Sequence, residues 1–377
     1  MTDALPFSAL DRFFAGPDDF PTEFAFFYAR LPTAEVLAEG LARTLPAFAR
    51  LRAGQGAGGD VPLRDVPGDW PSLEDMALPT VLFDSVRPGP GQPLCRLKIS
   101  RFAEGGCLGA SMSHGLGDGV SLMGFLSAWA RSVRGEAPVA PAPSEPPRPP
   151  PAALDASRPL EEELKRAGFR LGLPPRPRTR EDYTWDIRRF SREEVKALLR
   201  DARASHPQVT AGDVLAALLW RHYRRPELEG TEEPELGIVF DFRRVPGLLP
   251  ASFFGNAGLP LRVPLSSEEA STLPVPALAA RIRARFQSAS AADFYRSHAS
   301  LEEVRRTRGW EGVDRVGFST EGHGLLINNI SRLDLSMLDF GTGAPHAFDV
   351  LTPIPRVCFI TTRGDTLEAH TSLPKDS

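Results

Sequence analysis

The segment Ser111-Met-Ser-His114-Gly-Leu-Gly-Asp118-Gly119 places a histidine, an aspartate four positions later and three glycines in one short stretch. Imidazole titrates near neutrality, so a histidine presented by a loop can accept a proton from a substrate at pH 7. The glycines let the backbone turn tightly and come close to a ligand. Asp118 has two roles open to it at a helix mouth: it can cap the helix, or it can bind an arginine and stiffen the loop. Other chemical signatures are missing. There is no Gly-x-Ser-x-Gly elbow, no phosphate-binding P-loop, no Gly-x-Gly-x-x-Gly and no His-Glu-x-x-His, which sets aside the simplest hydrolase, NTPase, dehydrogenase and zinc-protease readings. The other histidines (His206, His222, His298, His323, His346 and His370) lack metal-ligand spacing, so they read as structural and no metal is expected.

The elements around this segment position it between a strand and a helix. Leu94 to Ser100 and Cys107 to Ser113 read as strands about a Glu104-Gly105-Gly106 turn. From Val120 to Val133 the apolar residues Val120, Met123, Leu126, Trp129, Ala130 and Val133 recur at helical spacing. Upstream, Thr33 opens a helix running to Arg50 with Val36, Leu37, Leu41 and Leu45 inward, and Pro46 should bend or interrupt it. Downstream, Tyr183, Trp185 and Ile187 alternate as a strand, Ser191 and Glu194 form a capping box, and Thr210 opens a helix through Tyr223. Glu235 to Arg244 and Leu325 to Ile330 read as strands, and Val357 to Thr361 with Thr366 to Thr371 as a hairpin about Arg363-Gly364-Asp365. Strands mixed with helices throughout make the class α/β.

The 377 residues are enough for two domains, with 42% hydrophobic and 24% charged residues near globular averages. Residues 137–151 hold prolines at nearly every second position and cannot form helix or central strand. The expected division is an N-terminal domain over 1–136, a proline-rich crossover linker over 137–180 and a C-terminal domain over 181–377. A net charge of −4 argues against a nucleic-acid or anionic-membrane partner. Only Lys98, Lys165, Lys196 and Lys375 among the 44 basic residues are lysine, a bias of genome composition rather than of chemistry. Three cysteines, Cys95, Cys107 and Cys358, at unpaired spacing suit a reducing cytoplasm. The absence of a basic leader or a bilayer-length apolar run points to a soluble cytoplasmic protein.

Two further segments extend the pattern: Asp241-Phe-Arg243-Arg244 followed by Phe253-Phe254-Gly255-Asn256, and Ser331-Arg332-Leu333-Asp334 followed by Asp339-Phe340-Gly341-Thr342-Gly343. With His114 and Asp118 they resemble, in order, the His-x-x-x-Asp-Gly, Tyr-Phe-Gly-Asn and Asp-Phe-Gly-Trp-Gly motifs of the BAHD acyltransferases. Weaker signals agree: Ser8-Ala-Leu-Asp11, Leu126-Ser-Ala-Trp129, Val214 to Arg221, and Leu367 to Pro374. Phe253 replaces the usual tyrosine and Thr342 the usual tryptophan, which bears on the pocket more than on the core chemistry.

The resemblance implies the two-domain chloramphenicol acetyltransferase-like fold with an inter-domain tunnel, acyl-CoA entering from one face and the acceptor from the other. It implies that His114 is the general base for acyl transfer from acyl-CoA to a hydroxyl or amine of a small molecule in specialised metabolism, by a monomer with no permanent cofactor and no acyl-enzyme. Asp118 is then a structural partner of Arg243, with Arg244 the alternative. Asn256 holds backbone beside the tunnel, and Asp339 with Gly341 forms a structural turn remote from the histidine. Thr210 and Ser331 are coenzyme A neighbours, although Thr210 reads equally well as an N-cap alone. The oxyanion donor is open among Thr342, Ser113 and a backbone N–H. Two alternatives within the fold are a carrier-protein-dependent condensation-type enzyme and a catalytically silent ligand-binding relative; Ser113, where condensation domains carry a first histidine, favours CoA.

Overall fold

The computed structural model describes residues 8–16, 21–53, 61–67, 82–87, 92–142, 145–172, 182–224, 234–321, 324–350 and 354–375. By contacts the chain divides into two units. The first comprises residues 1–147, 249–257 and 333–352; the second comprises 148–248, 258–332 and 353–377. Segments 249–257 and 333–352, which carry the second and third motifs, therefore group with the histidine motif.

The first unit is built on a five-stranded sheet in the order Ala347–Val350, Pro21–Tyr28, Gly105–Ser113, Cys95–Phe102 and Leu63–Pro67, antiparallel except for the last pair. On one face Phe24 and Phe26 meet Phe348, and the helix Gly119–Val133 starts so close that a Cβ on Gly119 would lie 2.9 Å from Phe24 Cζ. On the other face Ala25, Phe27, Cys107 and Ala347 pack with Leu82 and Phe83. Phe102 pairs with Gly105, so the connecting turn is Ala103-Glu104, and Gly105 and Gly106 belong to the strand rather than to the turn as expected.

Pro46 acts as its chemistry requires. The helix Ala34–Thr44 stops before it, a 3-10 turn covers Leu45–Ala47, and a short helix Ala49–Ala53 follows. The buried stripe of the first of these is Leu37, Gly40, Leu41 and Thr44. Val36, expected inward, sits about 100° off that stripe and is exposed. Val120 likewise faces outward: it shares the solvent side of its helix with Gly124, Ser127 and Arg131, while Leu122, Met123, Leu126 and Trp129 are buried. Trp129 Nε1 donates to Leu37 O at 2.9 Å, locking the two helices together.

The second unit holds a six-stranded mixed sheet ordered Tyr183–Ser191, Thr366–Pro374, Val357–Arg363, Leu325–Asn329, Leu236–Asp241 and Gly258–Val263. Its last hairpin pairs Arg363 with Thr366, so the turn is Gly364-Asp365, with Gly364 in the left-handed region at φ 57°. The helix Arg192–Arg203 opens on the Ser191–Glu194 capping box, and Ala211–Tyr223 opens on one formed by Thr210 and Asp213. Within 137–180, Ala142 N donates to Ser252 O at 3.0 Å, and a 3-10 turn covers Pro151–Ala153. The later part of that stretch forms the helix Leu160–Arg166 and the strand Phe169–Leu171. Among the described residues no helix is long and apolar enough to cross a membrane.

Candidate active site

The strand Gly105–Ser113 delivers His114 at its end, and the helix beginning at Gly119 fixes the loop from the other side. Asp118 is the N-cap of that helix. Its Oδ1 accepts from Ser121 N at 3.0 Å, and its Oδ2 accepts from Ala257 N at 2.9 Å. Ser121 Oγ accepts from Gly255 N at 3.0 Å and has its one proton within reach of Gly255 O at 2.9 Å and Asp118 Oδ1 at 3.1 Å. The histidine loop and the Phe253-Phe-Gly-Asn segment are thereby sewn into one piece. None of Gly115, Gly117 and Gly119 lies in the left-handed region. What Gly117 and Gly119 supply is room: a Cβ on Gly117 would sit 2.9 Å from Ser121 Cβ and 3.3 Å from Gly255 N.

His114 is half-buried and held on three sides. Its Nδ1 lies 3.0 Å from Asn256 Oδ1, and Asn256 Nδ2 donates to the His114 carbonyl at 2.9 Å. Asn256 Nδ2 also donates to Asp11 Oδ1 at 3.0 Å, and Arg50 closes the group, 2.8 Å from Asp11 Oδ2 and 3.1 Å from Gly115 O. Phe14 lies flat on the imidazole, with centroids 4.3 Å apart and planes 7° from parallel. Arg50 can reach Gly115 because Pro46 restarts the helix at Ala49. Burial pushes the His114 pKa below its ordinary 6.5, against the opposing pull of Asp118, its own carbonyl, Asn256 and Asp11. The shift favours the neutral ring, one nitrogen of which is engaged by Asn256.

Asn256, expected to hold backbone, holds the imidazole as well. Asp11, Phe14 and Arg50 were not singled out as site residues by sequence reasoning. Asp11 carried only a signal by position, in Ser8-Ala-Leu-Asp11, and nothing in the sequence pointed to Phe14 or Arg50.

The other motif residues lie in ordered local structures. Asp339 Oδ1 accepts from Gly341 N at 2.7 Å and Gly343 N at 2.9 Å, with Gly341 at φ 93° and Gly343 at φ 105°, a turn that favours glycine at both positions. Arg134 donates to the Asp339 carbonyl. Thr342 Oγ1 donates to Arg30 O at 2.9 Å, and Ser113 Oγ accepts from Gly115 N at 3.3 Å. In the second unit, Arg243 pairs with Asp241 at 2.9 Å. Thr210 Oγ1 donates to Asp213 Oδ2 at 2.8 Å and accepts from Arg283 at 2.6 Å, so both its donor and an acceptor site are engaged around the cap. Ser331 Oγ donates to Asn329 Oδ1 at 2.7 Å.

Known proteins resemble this chain in sequence and in fold. The model of the Transferase family matches residues 57–356. Agmatine coumaroyltransferase-1 of Hordeum vulgare is 26% identical over 380 aligned positions, covering 92% of this chain and 84% of that protein. Rosmarinate synthase of Plectranthus scutellarioides is 32% identical over 178 residues, covering 44% of this chain and 39% of its own length. Among solved structures, TRI101 of F. graminearum complexed with coenzyme A and deoxynivalenol superposes with a TM-score of 0.74 at 16% identity, over 98% of this chain and 95% of that one. That likeness shows the two-domain chloramphenicol acetyltransferase-like fold. With a family model spanning the histidine motif, the Asn256 segment and the Asp339 turn together, the chain belongs to the transferase family of the BAHD acyltransferases.

Proposed function

We propose that this protein moves an acyl group from acyl-CoA to a hydroxyl or amine of a small-molecule acceptor, with His114 as general base. The observation that carries the reading is the setting of His114: held at Nδ1 by Asn256 and stacked on Phe14, with burial pushing its pKa below the ordinary 6.5. Its other nitrogen removes the acceptor proton as the oxygen or nitrogen attacks the thioester carbonyl. The tetrahedral intermediate then collapses, the carbon–sulfur bond breaks, and the imidazolium returns the proton to the CoA thiolate. No acyl-enzyme forms, because holding both substrates together supplies the proximity term. A relative named as a coumaroyltransferase and a fold neighbour solved with coenzyme A and deoxynivalenol support the substrate classes. We also propose a cytoplasmic monomer with no resident cofactor, Thr210 and Ser331 near bound CoA, and a structural pairing of Asp118 with Arg243 or Arg244.

The test is a mass-spectrometric screen of acyl-CoA and acceptor pairs. Paired consumption with free CoA released, and no acyl adduct on the protein in single-turnover samples, is the expected result. Consumption only with an acylated carrier protein would overturn the CoA assignment.

A further inference from the structure

Asn256 offers two different atoms, and its surroundings decide which faces the imidazole. Two acceptors, the His114 carbonyl at 2.9 Å and Asp11 Oδ1 at 3.0 Å, stand beside one end of its amide. That end must be the NH2 group, since a flipped amide would press its oxygen against a carbonyl and a carboxylate. The end facing His114 Nδ1 is then an oxygen, 3.0 Å away and without a hydrogen. The hydrogen in that bond belongs to Nδ1, which leaves Nε2 as the bare nitrogen.

Asp11 is held for this task. It sits on the helix Ala9–Ala15, where it closes a capping box with Ser8, and its second oxygen pairs with Arg50 at 2.8 Å. Phe14, three residues on, lies on the imidazole, so the one helix reaches the base directly through Phe14 and, by way of Asn256, through Asp11. We infer that Asp11, backed by Arg50, is a positioning residue for the base: it fixes the Asn256 amide and thereby selects which nitrogen of His114 is free to take the proton. The inference rests on the reading of His114 as general base, but its test does not depend on any substrate.

The experiment uses the full chain with 15N-labelled histidine and long-range 1H–15N spectra, His114 being assigned by its loss in His114→Ala. The protonated-Nδ1 tautomer should dominate at pH 7 in the wild type. Asp11→Ala, or the shape-matched Asp11→Leu should the alanine variant not fold, should lower the ratio of the two tautomers by about two- to tenfold, the worth of one net hydrogen bond. Asp11→Asn can still present an oxygen to Asn256 Nδ2, but its NH2 would face Arg50 and Ser8 N, donor against donor, so its ratio should fall between those of Asp11→Ala and wild type. A wild-type spectrum dominated by the protonated-Nε2 form would overturn the inference. So would an unchanged ratio in a folded Asp11→Ala or Asp11→Leu variant. Because no acyl transfer is measured, these outcomes are separate from a failure to find acyltransferase activity.

Discussion

Asn256 and His114 are joined twice, once through the ring at 3.0 Å and once through the backbone carbonyl at 2.9 Å. The double contact fixes both where the loop stands and how the imidazole is turned. A single bond to the ring alone would leave the loop free to carry the histidine away; a bond to the carbonyl alone would leave the ring free to rotate. Three residues from the Phe-Gly-Asn segment take part in holding the motif. Gly255 engages Ser121, Asn256 engages His114, and Ala257 N donates to Asp118.

His114→Ala should lower turnover by about 10²–10⁴-fold, the usual worth of a positioned general base. Melting temperature should change little, because the ring is half-buried rather than a core filler. Steady-state turnover and a melting curve on the same preparation check this. More than half of wild-type turnover in the variant would remove His114 from the chemistry.

The pH dependence has a definite sign. With His114 as the proposed general base, neutral imidazole is the form expected to be active, and burial pushes its pKa below 6.5. Activity should therefore be on a plateau at pH 7 and fall as pH drops, reaching half its maximum below pH 6.5. Rate against pH under conditions where chemistry is limiting is the measurement. A half-maximal point well above pH 7 would contradict the buried, neutral base.

A second ionisable group governs acid stability. Glu368 accepts from Arg189 Nε at 2.9 Å, Arg363 Nε at 3.0 Å and His370 Nε2 at 3.0 Å. Burial alone would raise its pKa, but the bonds from His370, Arg363 and Arg189 hold it down at about 2, against an ordinary 4.5. A carboxylate with a depressed folded-state pKa stabilises fully above its unfolded value, and that contribution disappears as pH falls from 4.5 through about 2. Glu368→Gln should therefore cost on the order of 3 kcal/mol near neutral pH. Denaturant unfolding of both proteins across that range should show the difference shrinking toward acid; a gap independent of pH would assign the cost to packing.

Much of the frame was legible in the residues, for reasons that are local. The Ser191–Glu194 box, the Thr210 N-cap and the Pro46 break depend on neighbouring backbone chemistry, and each lies where it was read. Val36 and Val120 were misread because an apolar residue one step off a helical stripe looks like part of it in sequence. The motif does turn tightly, at residues 114–116, but the crowding of Gly117 against Gly255 is not legible in sequence, because it depends on a contact far along the chain. The same distance hid the site's support. Asp11, Arg50 and Asn256 stand far apart in sequence, and no spacing rule connects them until the fold brings their side chains within hydrogen-bonding distance.

Asp118 separates the capping role from the charge role. Asp118→Ala removes a helix cap and leaves Ala257 N without its acceptor, so a loss of about 2–4 kcal/mol is expected. Asparagine caps a helix as well as aspartate does, so Asp118→Asn should keep the bond from Ser121 N. Its amide nitrogen would then face Ala257 N, donor against donor, and about half of the loss should remain. Activity should fall with stability in both variants, because the displaced loop carries His114. The proposed pairing with Arg243 adds a further coupling that a double-mutant cycle isolates. If the pair exists, Asp118→Ala with Arg243→Ala costs less than the sum of the single changes. Denaturant unfolding of the four proteins measures this, with Arg244→Ala as the parallel cycle. Coupling in the Arg244 cycle alone would transfer the pairing to that residue. Additivity in both would exclude a pairing of Asp118 with either arginine.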